Sequence, residues 1–541
     1  MNNTQSKLYV NRWFLCIVST KSTPKSIDLV ESNAKIALVS TKSYQKRVDL
    51  VGSNDFFVIL QSNQNVFIML IGRNEEQRLL LSLLESDKSE FVAVYGRRRV
   101  GKTYLVREAF NYKFAFQHAG VQDATMKEQL EEFHHSLLLA GMKGGKKPRN
   151  WSQAFFMLEQ HLAALPDGKK VIFIDELPWL DTPCSKFVTA LDHFWNGWAS
   201  ARKDIVLVVC GSATSWIIDN IVMNYGGLHN RLTRQIYIEP FTLHECELYA
   251  QSKRLGMNRR NILETYMVMG GIPFYWDFMQ KELSWAQNID RMFFHKNGEM
   301  RREFNALYSS LFRHPQAYID VVTALGTKKI GMTRTEIIEA LGENNGGTLT
   351  KILTELEECD FIRSYTAIGK AKKETVYQLI DNFTLFYFKF MAGKDINDKN
   401  YWSSILKQPI YNTWSGLAFE RVCFQHIDQI KKALGIAGIV SNVHSWTYRP
   451  KNKQETGVQI DMLIDRDDNV INLCEMKFAK DEYEITAAYD EEMRRKTRIF
   501  ESKTGTRKAV TTVMITSYGL VRNEWANDIQ RQVVMDDLFE V

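Results

Sequence analysis

Gly96-Arg97-Arg98-Arg99-Val100-Gly101-Lys102-Thr103 fits the pattern GxxxxGK[ST], and the residues on either side of it suit that pattern. The apolar run Phe91–Tyr95 leads into it as a strand, and the stretch Thr103–Phe110 leaves it as a helix. In that setting, successive backbone N–H groups and the positive end of the helix form a cradle for phosphate. Lys102 is placed to reach the β- and γ-phosphates of a nucleotide, and the Thr103 hydroxyl to ligate its Mg²⁺. A glycine-rich turn followed by a chance Lys-Thr would need neither the strand before it nor the helix after it.

A second signal lies 73 residues beyond Lys102. Val171-Ile172-Phe173-Ile174 is a buried apolar strand that ends in Asp175-Glu176, where an open α/β sheet places its ligands. Asp175 suits the Mg²⁺ shell, and Glu176 suits activation of the attacking water. The strand Ile205–Cys210 runs into Gly211-Ser212-Ala213-Thr214. Ser212 there is either a reader of the γ-phosphate or an ordinary helix cap. Gly226-Gly227-Leu228-His229-Asn230-Arg231-Leu232-Thr233-Arg234 sets two arginines before the next strand. Arg231 is a candidate finger on the transition-state charge, in cis or from a neighbouring copy in a homo-oligomer; the bland reading is a surface ion pair. Strand-like and helical runs alternate from about 90 to 240, so the fold class is α/β with a parallel sheet covered on both faces.

The set GRRRVGKT, VIFIDELPWL, VVCGSATSW, GGLHNRLT and GGIPFY resembles the archaeal-type ATPases of the AAA+/STAND group, over about residues 69–540. That resemblance implies an additional-strand P-loop core (69–240) with a helical lid (241–312), and ATP with Mg²⁺ as cofactors. In such lids a Gly-x-Pro element lies near the adenine, and Gly271-Ile272-Pro273 matches it, so Gly271 and Pro273 join the expected nucleotide contacts. The N-K-x-D base reader of GTP-binding proteins is missing, which agrees with ATP.

Residues 313–382 read as helix, helix, helix, hairpin, the order of a winged helix-turn-helix. The second and third helices are expected at 333–341 and 347–358, with Leu349, Ile352, Leu353 and Leu356 facing the core. The outward face of the last helix then carries Lys351, Thr354, Glu355 and Glu358, and exposed glutamates repel phosphates. The hairpin holds the basic tip Gly369-Lys370-Ala371-Lys372-Lys373. Phosphate binding through that tip suits the module better than base reading; the alternative is a module that docks a protein partner.

A Phe/Tyr-rich connector (383–412) leads to a last α/β domain, 413–541. Val458–Ile464 and Val470–Phe478 are strands joined by the turn-forming stretch Asp465-Arg466-Asp467-Asp468-Asn469. A loop centred on Asp468 sets Asp461 opposite Glu475, with Cβ atoms roughly 5 Å apart. Like charges so placed repel, and a metal ion between them turns that cost into binding. Alternation puts Lys477 on the face of Glu475, where an ammonium steadies a developing charge. This D-x13-E-x-K arrangement resembles the PD-(D/E)xK nucleases, although Ile460 stands where the family's name has Pro. Glu420, in the helix Trp414–Ile427, matches the acid that those folds carry on their first helix. The domain is expected to be either a metal-dependent nuclease acting on DNA, with Glu420, Asp461 and Glu475 as metal ligands, or an inactive relic with a salt-bridged hairpin.

The bulk properties agree. A chain of 541 residues exceeds one core, and 45% hydrophobic with 24% charged residues is ordinary for a globular protein. The net charge of +6 permits nucleic-acid binding without requiring it. Seven scattered cysteines form no CxxC pair and suit a reducing cytoplasm, and the apolar run Trp13–Val18 is too short to span a membrane. Residues 1–68 lack a sustained period, so they read either as an extension preceding a start at Met69 or as a small accessory subdomain.

Overall fold

The computed structural model describes residues 70–541 apart from 213, 224–226, 229, 313, 343–345, 367–373, 395–397, 449 and 451–455. The expectations for residues 1–68 and for the basic tip Gly369–Lys373 lie outside the described residues. The described residues belong to one compact unit, Met69–Val541.

Five parallel strands form the first sheet: β1 (Glu90–Tyr95), β2 (Phe116–Ala119), β3 (Lys170–Asp175), β4 (Ile205–Gly211) and β5 (Arg234–Tyr237). Their order is β2-β3-β4-β1-β5, so β4 stands between the strand of the phosphate loop and the strand that ends in Asp175. Strands β3 and β4 are buried along their whole length, which is why they read as unbroken apolar runs. Alternate residues go to opposite faces: Val92, Val94, Val206 and Val208 enter one hydrophobic cluster, while Phe91, Ala93, Leu207 and Val209 enter the other.

Helices Leu243–Ser252 and Arg259–Met269 follow the sheet, and the second is buried over most of its length. Beyond further helices, among them Glu303–Leu311, come helices Pro315–Gly326, Arg334–Leu341 and Gly346–Glu358. With them lies a small antiparallel sheet, β6 (Met332–Thr333), β7 (Ile362–Tyr365) and β8 (Val376–Leu379), in the order β6-β8-β7. Leu349, Ile352, Leu353 and Leu356 are buried as the helical period requires.

The aromatic connector is part of the core. Phe386 and Phe390 of the helix Asn382–Phe390 meet Trp402 and Trp414 edge-on, with ring centroids 5.1 to 5.7 Å apart. Helix Pro409–Gln425 continues from there to the last domain. Its sheet comprises β9 (Ser441–Tyr448), β10 (Val458–Arg466), β11 (Val470–Lys477), β12 (Ala509–Thr516) and β13 (Arg531–Val534), in the order β13-β12-β11-β10-β9. The β9, β10 and β11 neighbours run antiparallel, and β11, β12 and β13 run parallel, with helix Ala487–Thr504 making the crossover from β11 to β12. Among the described residues no helix is long and apolar enough to cross a membrane.

Candidate functional site

The phosphate loop leaves β1 through Gly96 at φ 136°, where a Cβ would lie 2.4 Å from the Ile238 carbonyl oxygen; only glycine lets the loop pass the end of β5. Gly101 at φ 93° turns the chain into the helix Lys102–Ala109. Lys102 is buried, and its Nζ donates to the Gly96 and Arg97 carbonyls, each at 2.8 Å. Burial pushes its ammonium pKa down, while Asp175 and Glu176 pull the other way. The Thr103 hydroxyl donates to Asp175 Oδ2 at 2.8 Å. Burial pushes the Asp175 carboxyl pKa up, and the Thr103 hydrogen bond opposes that shift.

Glu176 follows β3 in a left-handed conformation, φ 46°. Its carboxylate accepts from the Ser212 hydroxyl at 2.7 Å and from the Ser212 amide at 3.2 Å. Lys102, Thr103, Asp175, Glu176 and Ser212 therefore converge at the carboxyl ends of β1, β3 and β4. The donor set fits Mg·ATP: a buried ammonium resting on loop carbonyls suits phosphate, and a hydroxyl beside a carboxylate supplies the hard oxygen ligands that Mg²⁺ takes. Ser212 binds Glu176, a role that neither of its sequence readings foresaw.

The side chains of the three arginines in the loop have partners elsewhere in the molecule. Their backbone lies in the loop, but each side chain leaves it for a segment further along the chain. Arg97 pairs with Asp381 at 2.6 Å and lies over the Phe361 ring at 4.4 Å. Arg98 donates to the Ser310 carbonyl at 3.2 Å. Arg99 pairs with Glu303 and sits 4.5 Å from the Phe274 ring. Their guanidinium groups are spent on carboxylates, a carbonyl and aromatic faces, which leaves their main chain free for the phosphate cradle expected of the loop. Val100 is a core residue. Asp381 and Glu303 escaped sequence reading, since neither lies in a motif; Asp381 reads only as a helix cap.

Gly271 accepts a hydrogen bond from the Phe241 amide at 2.6 Å, and a Cβ there would lie 1.9 Å from the Phe241 carbonyl oxygen. Pro273 opens the short helix Pro273–Trp276, which delivers Phe274 to Arg99. Arg231 is exposed in the turn before β5.

Helix Gly346–Glu358 does not present Glu355 and Glu358 outward, which corrects the expected polar face. Glu355 accepts from the Tyr318 hydroxyl, and Tyr237 of β5 donates to the Glu358 carbonyl at 3.4 Å and to the Asp360 carboxylate. Burial and the nearby Asp219 push the Glu358 carboxyl up to about 7. That end of the helix is turned against the ATP-site domain; Lys351 and Thr354 remain exposed.

In the last domain the hairpin takes the expected register, with Met462 opposite Cys474 and Leu463 opposite Leu473. A register shift toward β9 falls between Ile460 and Leu463, across Asp461. The carboxylates part company there. Glu475, 1% exposed, accepts from Lys496 at 2.7 Å and from the Tyr489 hydroxyl at 3.1 Å, with Lys477 at 4.0 Å on its face. Glu420 and Asp461 instead share the ammonium of Lys329, at 2.8 and 3.0 Å. Burial and Asp461 push Glu420 up to about 7; burial works against the charge of Lys329, and the two carboxylates raise its pKa nonetheless. The expected three-carboxylate cluster is thus divided between two lysines, which relieve the like-charge repulsion locally. Among the described residues no group of three or more His, Cys, Asp or Glu is arranged to hold a metal ion. The rim is an open cleft of about 260 Å³ lined by Lys329, Gln459, Asp461, Arg495 and Lys496.

Comparison with known proteins bears on the first site. An uncharacterized protein of Methanocaldococcus jannaschii is 24% identical over 420 residues, covering 74% of this chain and 85% of that one. A Walker-type ATPase of Pyrococcus abyssi is 17% identical, over 58% of this chain and 95% of its own, with a TM-score of 0.43. Cdc6p from Pyrobaculum aerophilum is 11% identical, over 65% of this chain and 97% of its own, with a TM-score of 0.30. Residues 70–276 match the family described as an ATPase domain predominantly from Archaea, and that stretch holds the phosphate loop, Asp175, Glu176 and Ser212. The chain is an ATPase with an archaeal-type ATPase domain at residues 70–276.

Proposed function

We propose that this ATPase acts on DNA and that its last domain makes a metal-dependent cut in a phosphodiester. The observation that carries the reading is the pair Glu420 and Asp461, which holds a cation, the Lys329 ammonium, at the rim of a cleft that also presents Arg495 and Lys496. Two hard oxygen ligands that already bind one cation suit Mg²⁺ or Mn²⁺, which would polarise the phosphate and lower the pKa of an attacking water. Arg495 suits the flanking phosphates of a strand, and Lys477 a developing charge. The order of three helices and a β6-β8-β7 sheet supports the winged-helix reading, with phosphate contact through its hairpin. At the first site Lys102 and the loop amides hold ATP, Thr103 and Asp175 hold Mg²⁺, and Glu176 orients the water. Gly271 and Pro273 flank the base, and Arg231, exposed, serves a neighbouring copy.

A second reading is a nucleotide-dependent switch that binds DNA or a protein and cuts nothing. It is favoured by the commitment of Glu475 to Lys496. The test measures the ATPase rate with and without single-stranded, double-stranded and branched DNA, then cleavage of each with Mg²⁺, Mn²⁺ or EDTA. Stimulation by one DNA form with EDTA-sensitive cutting is the expected result. Stimulation without cutting leaves the switch, and no response to any DNA overturns both DNA readings.

A further inference from the structure

The phosphate loop takes its ion-pair partner from 284 residues further along the chain, well outside the stretch 70–276 that matches the ATPase family. Arg97 and Asp381 are 3% and 4% exposed, and Arg97 Nη1 lies 2.6 Å from Asp381 Oδ1. The other carboxylate oxygen accepts from the Thr384 amide at 2.8 Å and so starts the helix Asn382–Phe390. Nε and Nη2 of Arg97 are buried and make no hydrogen bond, so among the described residues Asp381 is the carboxylate hydrogen-bonded to this guanidinium, while Asp360 acts on it through space. The main chain of the same residue serves the nucleotide site: Arg97 O is one of the two carbonyls that hold Lys102 Nζ.

We propose that Asp381 is a positioning residue for ATP hydrolysis: it pins the Arg97 side chain and thereby fixes the phosphate loop in the shape that receives the nucleotide. A buried guanidinium without its carboxylate does not stay where it is, because desolvating an unpaired charge is costly. Arg97 would turn toward solvent and carry its backbone, with the adjacent loop amides, out of register. Those amides hold phosphate in the ground state and in the transition state alike. Losing their preorganisation therefore weakens both equally, which raises KM and leaves kcat in place. A merely structural role has the opposite signature, since loss of folded protein lowers apparent kcat at constant KM.

The experiment uses the full chain. Asp381→Ser keeps a side-chain oxygen to cap the helix and removes the charge that holds Arg97. Its KM for ATP should rise roughly tenfold with kcat within about twofold of wild type. Arg97→Met should behave alike, and the double variant should be no worse than either single one, because the two residues act as one unit. Asp381→Glu, which keeps the charge, should recover part of the loss. An unchanged KM in Asp381→Ser, a fall in kcat at constant KM, or additive effects in the double variant would each overturn the proposal. It rests on the phosphate loop being the nucleotide site, which Lys102→Ala tests separately: if that variant still binds ATP, the site itself is misplaced, whatever Asp381 does.

Discussion

The Ser212 hydroxyl donates to Glu176 Oε1 at 2.7 Å while the Ser212 amide reaches Oε2 at 3.2 Å, so one residue at the end of β4 fixes both oxygens of the carboxylate that follows β3. On the proposed reading Glu176 orients the attacking water, and a base must be aimed before it can act. Glu176→Gln keeps the shape and removes the base. It should bind ATP within about threefold of wild type and lose turnover by about 10² or more. Ser212→Ala should lower kcat roughly tenfold with KM nearly unchanged, since it loosens the base and not the phosphate cradle. Steady-state ATPase assays with a binding titration check both; normal turnover in Glu176→Gln would remove that residue from the mechanism.

Lys102 is buried on two loop carbonyls, and Thr103 is already bonded to Asp175. Lys102→Ala should abolish nucleotide binding in a titration. Thr103→Val, which keeps the bulk and deletes the hydroxyl, should demand roughly tenfold more Mg²⁺ for half-maximal turnover.

Burial of Glu420 beside Asp461 gives the last domain a pH dependence, which the Lys329 ammonium opposes. Glu420 ordinarily titrates near 4.5, and here it is pushed up to about 7. Between those values the folded protein keeps a proton that the unfolded chain has lost, so this group's contribution to stability falls as pH rises from 4.5 to about 7 and is level above that. Replacing Glu420 with Gln should remove that slope, as read by urea unfolding in buffers at about pH 4 and about pH 8, which bracket both values. Calorimetric binding of Mn²⁺ should strengthen through the same window as the carboxylate ionises. Lys329→Met should strengthen it further by removing the competing ammonium. Equal Mn²⁺ binding in wild type and Lys329→Met would show that the carboxylate pair is not the cation site.

Asp461→Ala should eliminate metal-dependent cleavage and leave ATP hydrolysis intact, because the ATP site is built by β1, β3 and β4 and shares no residue with the hairpin. Nuclease and ATPase assays on one preparation decide it. Cutting that survives this substitution would place the site elsewhere.

Trp402 is fully buried among Phe386, Phe390, Tyr411 and Trp414, with ring centroids 5.1 to 5.7 Å away. Trp402→Ala should cost about 3–5 kcal/mol, because a rigid aromatic shell collapses poorly around the void. Denaturant unfolding measures this, and a cost below about 1 kcal/mol would show that the cluster does not hold the connector in place.

The sequence by itself determined the ATP-site core. Strands β1, β3 and β4 are buried on both faces and therefore spell continuous apolar runs, and the loop and acidic pair sit at their carboxyl ends, where local motif and fold coincide. Lys102, Thr103, Asp175 and Glu176 were legible for that reason, as was the hairpin register that pairs Met462 with Cys474. Only the tertiary structure decided where long charged side chains go. Arg97 finds Asp381, Glu475 finds Lys496, and Lys329 reaches Glu420 and Asp461 across 91 and 132 residues. A flexible side chain with a mobile charge takes whichever opposite charge the packed domains bring near, and burial makes that choice binding. No spacing along the chain encodes such a meeting, because the partners become neighbours only when segments apart in sequence pack together.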